Sequence, residues 1–271
     1  MNKNTLATII ITFFVSFIAL TPSAHARNKQ ALKHFKERTI EYTGEEYKKE
    51  TIKYRLMSPA NIEKGKTYPL IVFLHGAGER GNDNGKQLYY FPERMASDAD
   101  RKNFPCFILA PQCRSNKKWV EINWSDKKSS PMKDKPGDMM QSALNILDHS
   151  LQTLPIDKTS VYLTGLSMGG YGSWEMAMRR PKLFAAVVPI CGGGDETSAK
   201  LIKDIPIWAW HGDKDRAVPT DRSRSMVKAL KTAGGKPIYS ELKGVGHGSW
   251  NNAYKPDSGL MKWMFKQKRG E

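Results

Sequence analysis

The stretch Val161-Tyr-Leu-Thr-Gly-Leu-Ser-Met-Gly-Gly170 decides the fold of this chain. It opens with an apolar, β-branched run and closes in Gly165-Leu-Ser-Met-Gly169. A helical pattern follows from Tyr171 to Arg180, and Pro181 ends it. Strand, tight turn and helix, with a serine on the turn, make a G-x-S-x-G nucleophile elbow: the turn strains the backbone at Ser167 and lifts its hydroxyl clear of the sheet. Gly165 and Gly169 are required because a Cβ at either would meet the neighbouring strand or helix. The helix behind Ser167 offers free N–H groups and the positive end of its dipole. Average glycine and serine usage yields ~0.1 such matches by chance in a chain of this length. The weight of the motif therefore comes from its place between a buried strand and a helix.

Working outward, strand-like runs alternate with helical ones on both sides. Arg38 to Tyr42 and Lys48 to Met57 read as strands, the second alternating polar and apolar residues. Pro69 to His75 and Cys106 to Ala110 are continuous apolar runs of the kind buried on both faces of a sheet. Leu88 to Ala99 reads as a helix interrupted by Pro92, and Asp138 caps a helix expected to reach Leu154. Beyond the elbow come strands at Phe184 to Ile190, Pro206 to Trp210 and Pro237 to Leu242, with helices at Asp221 to Thr232 and over 259–268. Arg114 to Gly137 has no periodicity and is expected to be a long loop. The pattern predicts an α/β fold: a doubly wound, mostly parallel sheet behind antiparallel N-terminal strands.

The first 26 residues stand apart. Leu6 to Leu20 is apolar except for Thr and Ser, and Ala24-His-Ala26 forms an Ala-x-Ala site. This reads as a secretory signal peptide cut after Ala26, leaving 27–271 as the catalytic domain of a secreted or periplasmic protein. The run is short for a bilayer span, so no stable membrane insertion is expected after cleavage. Lys and Arg number 43 against 27 Asp and Glu, a formal charge of +16. These basic residues are spread along the chain rather than clustered with aromatics, which argues for a solvated surface and against nucleic-acid binding. Cys106, Cys113 and Cys191 lack metal-ligand spacing, and no disulfide is assigned among them.

Each glycine-rich break follows a predicted strand, the sheet edge at which α/β sites assemble. Ser167 is the candidate nucleophile and needs a base. His247 in Gly244-Val-Gly-His-Gly248 is the candidate base, placed late and directly after the last strand. Asp213 and Asp215 compete to orient it, since both follow the strand ending at Trp210; Asp195 and Glu196 lie one strand earlier. The backbone N–H of Met168 and that of Ala77, in the loop after the first long parallel strand, are the candidate oxyanion donors. His75 is expected to tie that loop down. Glu79, Arg80, Trp119 and Trp124 are candidate substrate-binding residues, the two tryptophans as walls of the cleft.

The motifs Leu74-His-Gly-Ala-Gly-Glu-Arg-Gly81, Ala110-Pro-Gln-Cys113, Gly165-Leu-Ser-Met-Gly-Gly170, His211-Gly-Asp-Lys-Asp-Arg-Ala-Val-Pro219 and Gly246-His247 carry a resemblance. Together they resemble the α/β-hydrolase esterases of the phospholipase/carboxylesterase, polyhydroxybutyrate-depolymerase-like and dienelactone-hydrolase-like families, from about Pro69 to Trp250. The resemblance implies a Ser–Asp–His triad with the acid in His-Gly-x-x-Asp, which is Asp215 here, and an acyl-enzyme without cofactor or metal. It is specific for the fold and the triad and not for the substrate; the expected substrate class is carboxylic esters, acyl or aryl esters on carbohydrates among them. A serine peptidase using the same triad is the alternative. A glycan-binding protein on an inactive scaffold is disfavoured because all three triad positions are filled.

Overall fold

The computed structural model describes residue 29 and residues 31–270; the signal-peptide reading of residues 1–26 lies outside the described residues. Eight strands form one sheet in the order β1-β2-β4-β3-β5-β6-β7-β8. β1 (Phe35–Tyr42) and β2 (Glu50–Met57) pair antiparallel, and β2 meets β4 (Phe107–Pro111) antiparallel. From β4 onward every pairing is parallel, through β3 (Tyr68–Leu74), β5 (Ile156–Leu166), β6 (Ala186–Ile190), β7 (Trp208–Gly212) and β8 (Ile238–Leu242).

The apolar runs are continuous because both faces are covered. Leu70, Val72 and Leu74 of β3 enter one core, while Ile71 and Phe73 enter the other. This is the period-two alternation of a strand, with both sides apolar. Helices Asp138–Thr153, Met168–Arg179 and Asp221–Thr232 cover the first face with Met140, Leu144, Trp174, Met226 and Leu230. Phe91–Met95 and Leu260–Lys266 cover the second with Phe91, Met95, Leu260 and Met264. In chain order the helices used below are α1 (Phe91–Met95), α2 (Asp98–Asn103), α3 (Asp138–Thr153), α4 (Met168–Arg179), α5 (Asp221–Thr232) and α6 (Trp250–Ala253). No helix among the described residues is long and apolar enough to cross a membrane.

Two local expectations differ. The helix expected over Leu88 to Ala99 is split into α1 and α2. Ser97 caps the second piece, its hydroxyl accepting the Asp100 N–H at 3.1 Å. Asp138 lies at the first helical position rather than the cap, which is Gly137. Its carboxylate instead accepts the Tyr42 hydroxyl at 2.7 Å and the Glu45 and Glu46 amides, fastening α3 to the end of β1.

β3 is the pivot of the sheet. The chain leaves it for β4 on one side and returns to β5 on the other. The loops after β3 and β5 therefore diverge at the same sheet edge and open a crevice there. Leu74 sits opposite Gly165, so the loop that begins at His75 is brought beside Ser167.

Candidate active site

Ser167 has φ 54° and ψ −117°, a strained conformation for a residue with a side chain. Close packing enforces it. A Cβ on Gly169 would collide with the Leu74 and His75 carbonyls, and one on Gly165 with the Gly169 carbonyl. The Ser167 N–H donates to the Ile190 oxygen at 2.9 Å, which pins the turn to β6.

The Ser167 hydroxyl lies 2.9 Å from His247 Nε2, and His247 Nδ1 lies 2.8 Å from Asp215 Oδ2. The Asp215 side chain is fully buried, while that of His247 is 28% exposed. Asp215 Oδ1 accepts the amides of Ala217 and Val218, each at 2.9 Å. Burial pushes the Asp215 carboxyl up, but hydrogen bonds from His211, His247 and the Val218 amide outweigh it and hold the group well below the usual carboxylate range. It is an anion, so His247 Nδ1 donates to it and Nε2 is left to accept from Ser167. Asp213 turns the other way and accepts the Gly244 N–H at 2.7 Å. Of the two competing acids, only Asp215 meets His247.

Ala77 opens a short 3₁₀ turn, Ala77–Glu79, and Met168 is the first residue of α4. Neither amide is paired with a carbonyl of a turn or loop among the described residues; Ala77 lines the cleft, and Met168 directly follows Ser167, which also lines it. His75 anchors this loop from beneath. Its Nδ1–H donates to the Gly76 oxygen at 2.6 Å, and its Nε2 accepts the Cys113 amide at 3.0 Å. Full burial lowers its pKa to about 4, so the ring is neutral and serves as a fastener.

Ser167 and His247 open into a cavity of about 360 Å³. Trp124 lines it, and so does Glu79, whose pKa is raised by burial. Trp119 corrects the sequence reading. It is 1% exposed, its indole N–H donates to the His75 oxygen at 3.0 Å, and it packs into the core below the loop. An aromatic residue in a polar, aperiodic stretch carries no sequence signal for which side it faces. Arg80 also stays out of the cavity lining. Its Nε donates to the Ala77 oxygen at 2.8 Å and its guanidinium lies over the Trp124 ring, so it braces the wall from behind.

Two lining residues carried no sequence signal. Tyr90 has φ 67°, a strained backbone just before α1, and its ring lies 5.4 Å from that of Trp250. Trp250 in turn sets its ring edge-on to His247 at 5.1 Å. Trp250 follows His247 by three residues, but α6 is four residues long and too short for periodicity to reveal. The long loop 114–137 is held by its own carbonyls. Arg222 binds those of Asp126 and Lys128, Arg179 those of Lys133 and Asp134, and the Tyr171 hydroxyl that of Trp124. Trp124 is thereby fixed at the cavity wall.

All three cysteines are free and buried. Donor atoms of Cys191, Asp215 and His247 lie within 4.8 Å of one another. As a metal site this set fits poorly: burial pushes the Cys191 thiol up, and the Asp215 oxygens are already filled by hydrogen bonds. A larger hollow of about 710 Å³ between residues 127–129 and α5 contains neither Ser167 nor His247.

A doubly wound sheet with a serine on the turn after β5, and an acid and a histidine from later loops, defines the α/β-hydrolase class. The family described as Phospholipase/Carboxylesterase matches residues 60–255, and the chain belongs to this hydrolase family. It is 27% identical over 195 residues to poly(3-hydroxyalkanoate) depolymerase C of Paucimonas lemoignei, which covers 69% of this chain and 42% of the relative. It is 28% identical over 211 residues to a protein named "Probable feruloyl esterase C" of Aspergillus oryzae, covering 74% and 70%. Among solved structures, a thermostable esterase superposes with a TM-score of 0.77 at 37% identity, covering 88% of this chain and 64% of that one. The chain thus spans less than two thirds of the depolymerase and of the thermostable esterase.

Proposed function

We propose that this chain is an exported serine hydrolase that cleaves carboxylic esters through an acyl-enzyme. The observation that carries the reading is the hydrogen-bonded chain Ser167–His247–Asp215 opening into a cavity beside two backbone amides. His247 Nε2 takes the Ser167 proton as Oγ attacks the ester carbonyl. The Ala77 and Met168 amides hold the oxyanion, a contribution of about 10²–10³ in rate for each such donor. His247 then gives the proton to the leaving alcohol, and water repeats the sequence on the acyl-enzyme. Asp215 keeps Nδ1 protonated and stabilises the imidazolium. Export rests on the apolar run Leu6 to Leu20 and the Ala24-His-Ala26 site.

The aromatic wall of Tyr90, Trp124 and Trp250 favours flat or small acyl groups, and an esterase and a depolymerase are among the relatives. Esters of aromatic acids, including those borne on sugars, are the expected substrates. The test is a panel of p-nitrophenyl esters, aryl-acid esters, acetylated glycans and peptides. Ester cleavage with peptides untouched is expected. Trp124→Ala should raise KM for aryl-acid esters several-fold more than for p-nitrophenyl acetate, which is too small to use the wall. Efficient peptide cleavage with every ester untouched would overturn the reading.

A further inference from the structure

Asp215 receives two imidazoles, and only one of them is His247. His211 lies in β7, four residues before Asp215, and is 0% exposed. Its Nε2 is 3.1 Å from Asp215 Oδ2 and 3.2 Å from the Val218 carbonyl oxygen. Both neighbours are acceptors, so Nε2 carries a proton and donates it. Its Nδ1 lies 2.7 Å from the Ser223 hydroxyl on α5, which is also 2.8 Å from the Gly192 oxygen. Asp215 is thus saturated: two amides on Oδ1, two imidazole N–H groups on Oδ2. A carboxylate offers about four acceptor sites, and here all are used.

Two consequences follow from that saturation. The carboxylate cannot turn without breaking several bonds in a dry setting, where each is costly to lose. Its charge is also divided between two rings rather than given wholly to His247. We propose that His211 is a positioning residue for the Ser167–His247–Asp215 chain, fixing the Asp215 carboxylate and tempering its pull on the His247 imidazolium. The inference rests on the serine-hydrolase reading above. A tempered pull suits a base that must also release its proton to the leaving alcohol in the same turnover.

The other charged or titratable groups around His211 do not supply this function. Glu241, its partner across β8, is engaged by Arg224 at 2.6 and 2.8 Å. The Cys191 thiol after β6 is kept neutral by burial. Asp215 is the anion His211 touches.

His211→Leu removes the donor, and His211→Gln returns an amide N–H at similar reach. In His211→Leu, kcat on a p-nitrophenyl ester should fall about 10- to 100-fold, the scale on which partners of a ligating imidazole act elsewhere, with KM nearly unchanged. The acid limb of the kcat/KM profile should move to higher pH by about half a unit or more, because the undivided carboxylate holds the imidazolium more tightly. His211→Gln should recover most of both effects, and Ser223→Ala should show the same changes more weakly. A folded His211→Leu with wild-type kcat and an unshifted acid limb would sink the proposal. If that variant does not fold, wild-type kcat and an unshifted acid limb in Ser223→Ala, whose hydroxyl meets His211 Nδ1 at 2.7 Å, would sink it equally. Fluorophosphonate labelling separates this from the parent reading. Labelling that survives in Ser167→Ala discards both. Labelling lost in Ser167→Ala, with wild-type kcat and an unshifted limb in His211→Leu, discards only this one.

Discussion

Asp213 and Asp215 stand two residues apart, yet one caps a surface turn and the other is a buried anion with four donors. Asp215→Asn places an amide where His247 needs an acceptor, which favours the wrong tautomer. Such a change is expected to cost about 10⁴ in kcat. Asp213→Asn keeps an oxygen for the Gly244 amide and should stay within a few-fold of wild type. Steady-state kinetics on one ester decides between them, and equal losses would show that the imidazole is not oriented by Asp215. Residues such as Ser167, Asp215 and His247 were legible because each sits at a glycine-rich break after an apolar run. Trp119 and Tyr90 were not. Whether Trp119 faces core or cleft depends on the His75 carbonyl that its indole finds, a contact 44 residues away in the chain. Tyr90 is placed by a backbone outlier that no composition signals.

At the scale of elements, the loop after β3 is set by its underside. His75 bonds to Gly76 on one side and Cys113 on the other, and Trp119 closes over it. Its pKa of about 4, against 6.5 for the free side chain, couples this fastener to pH. The sign is fixed by proton counting: between pH 6.5 and 4 the unfolded chain binds a proton that the folded chain refuses. Stability from this group is therefore complete above pH 6.5 and is lost as pH falls toward 4, by about 3 kcal/mol in all. Urea unfolding at pH 7 and at pH 5 should show the loss, and His75→Gln, which cannot titrate, should show a smaller difference. An identical difference in the two proteins would mean that His75 is not the group responsible. The strands around this loop could be read in sequence because both their faces are apolar. The split between α1 and α2 could not, since one interrupted pattern fits a kinked helix as well as two short ones.

At the scale of the whole molecule, sheet order and charge act together. The pivot at β3 fixes where the cleft opens; the alternation of strands and helices revealed a mostly parallel sheet and its site-bearing edge, but not the strand order that makes β3 the pivot. The charge of +16 was legible as a number, but its bearing on the cleft depends on which basic residues the fold brings to it. Trp124, on the cavity wall, carries the Lys118 ammonium 5.0 Å and the Arg80 guanidinium 6.0 Å from its ring. Lys118 donates to the Ile122 carbonyl rather than to a carboxylate, so its charge is not cancelled locally. One acid, Glu79, lines the cavity against these two cations, and burial raises its pKa. The mouth of the site should therefore be positive, and a positive cleft steers anions toward it. Esters carrying a carboxylate away from the scissile bond should have a higher kcat/KM at low salt than neutral analogues of the same shape. Raising ionic strength from about 0.01 M to about 0.15 M shortens the screening length from about 30 Å to about 8 Å. The charged-to-neutral ratio of kcat/KM should then fall by about threefold or more, within the range over which such fields act. Using the ratio cancels any effect of salt on the fold, which both substrates share. Lys118→Gln should flatten the dependence in part while leaving the neutral ester unchanged. A ratio that stays constant across the salt series would mean that the excess of basic residues is not felt at Ser167, and that this surface serves something other than substrate capture.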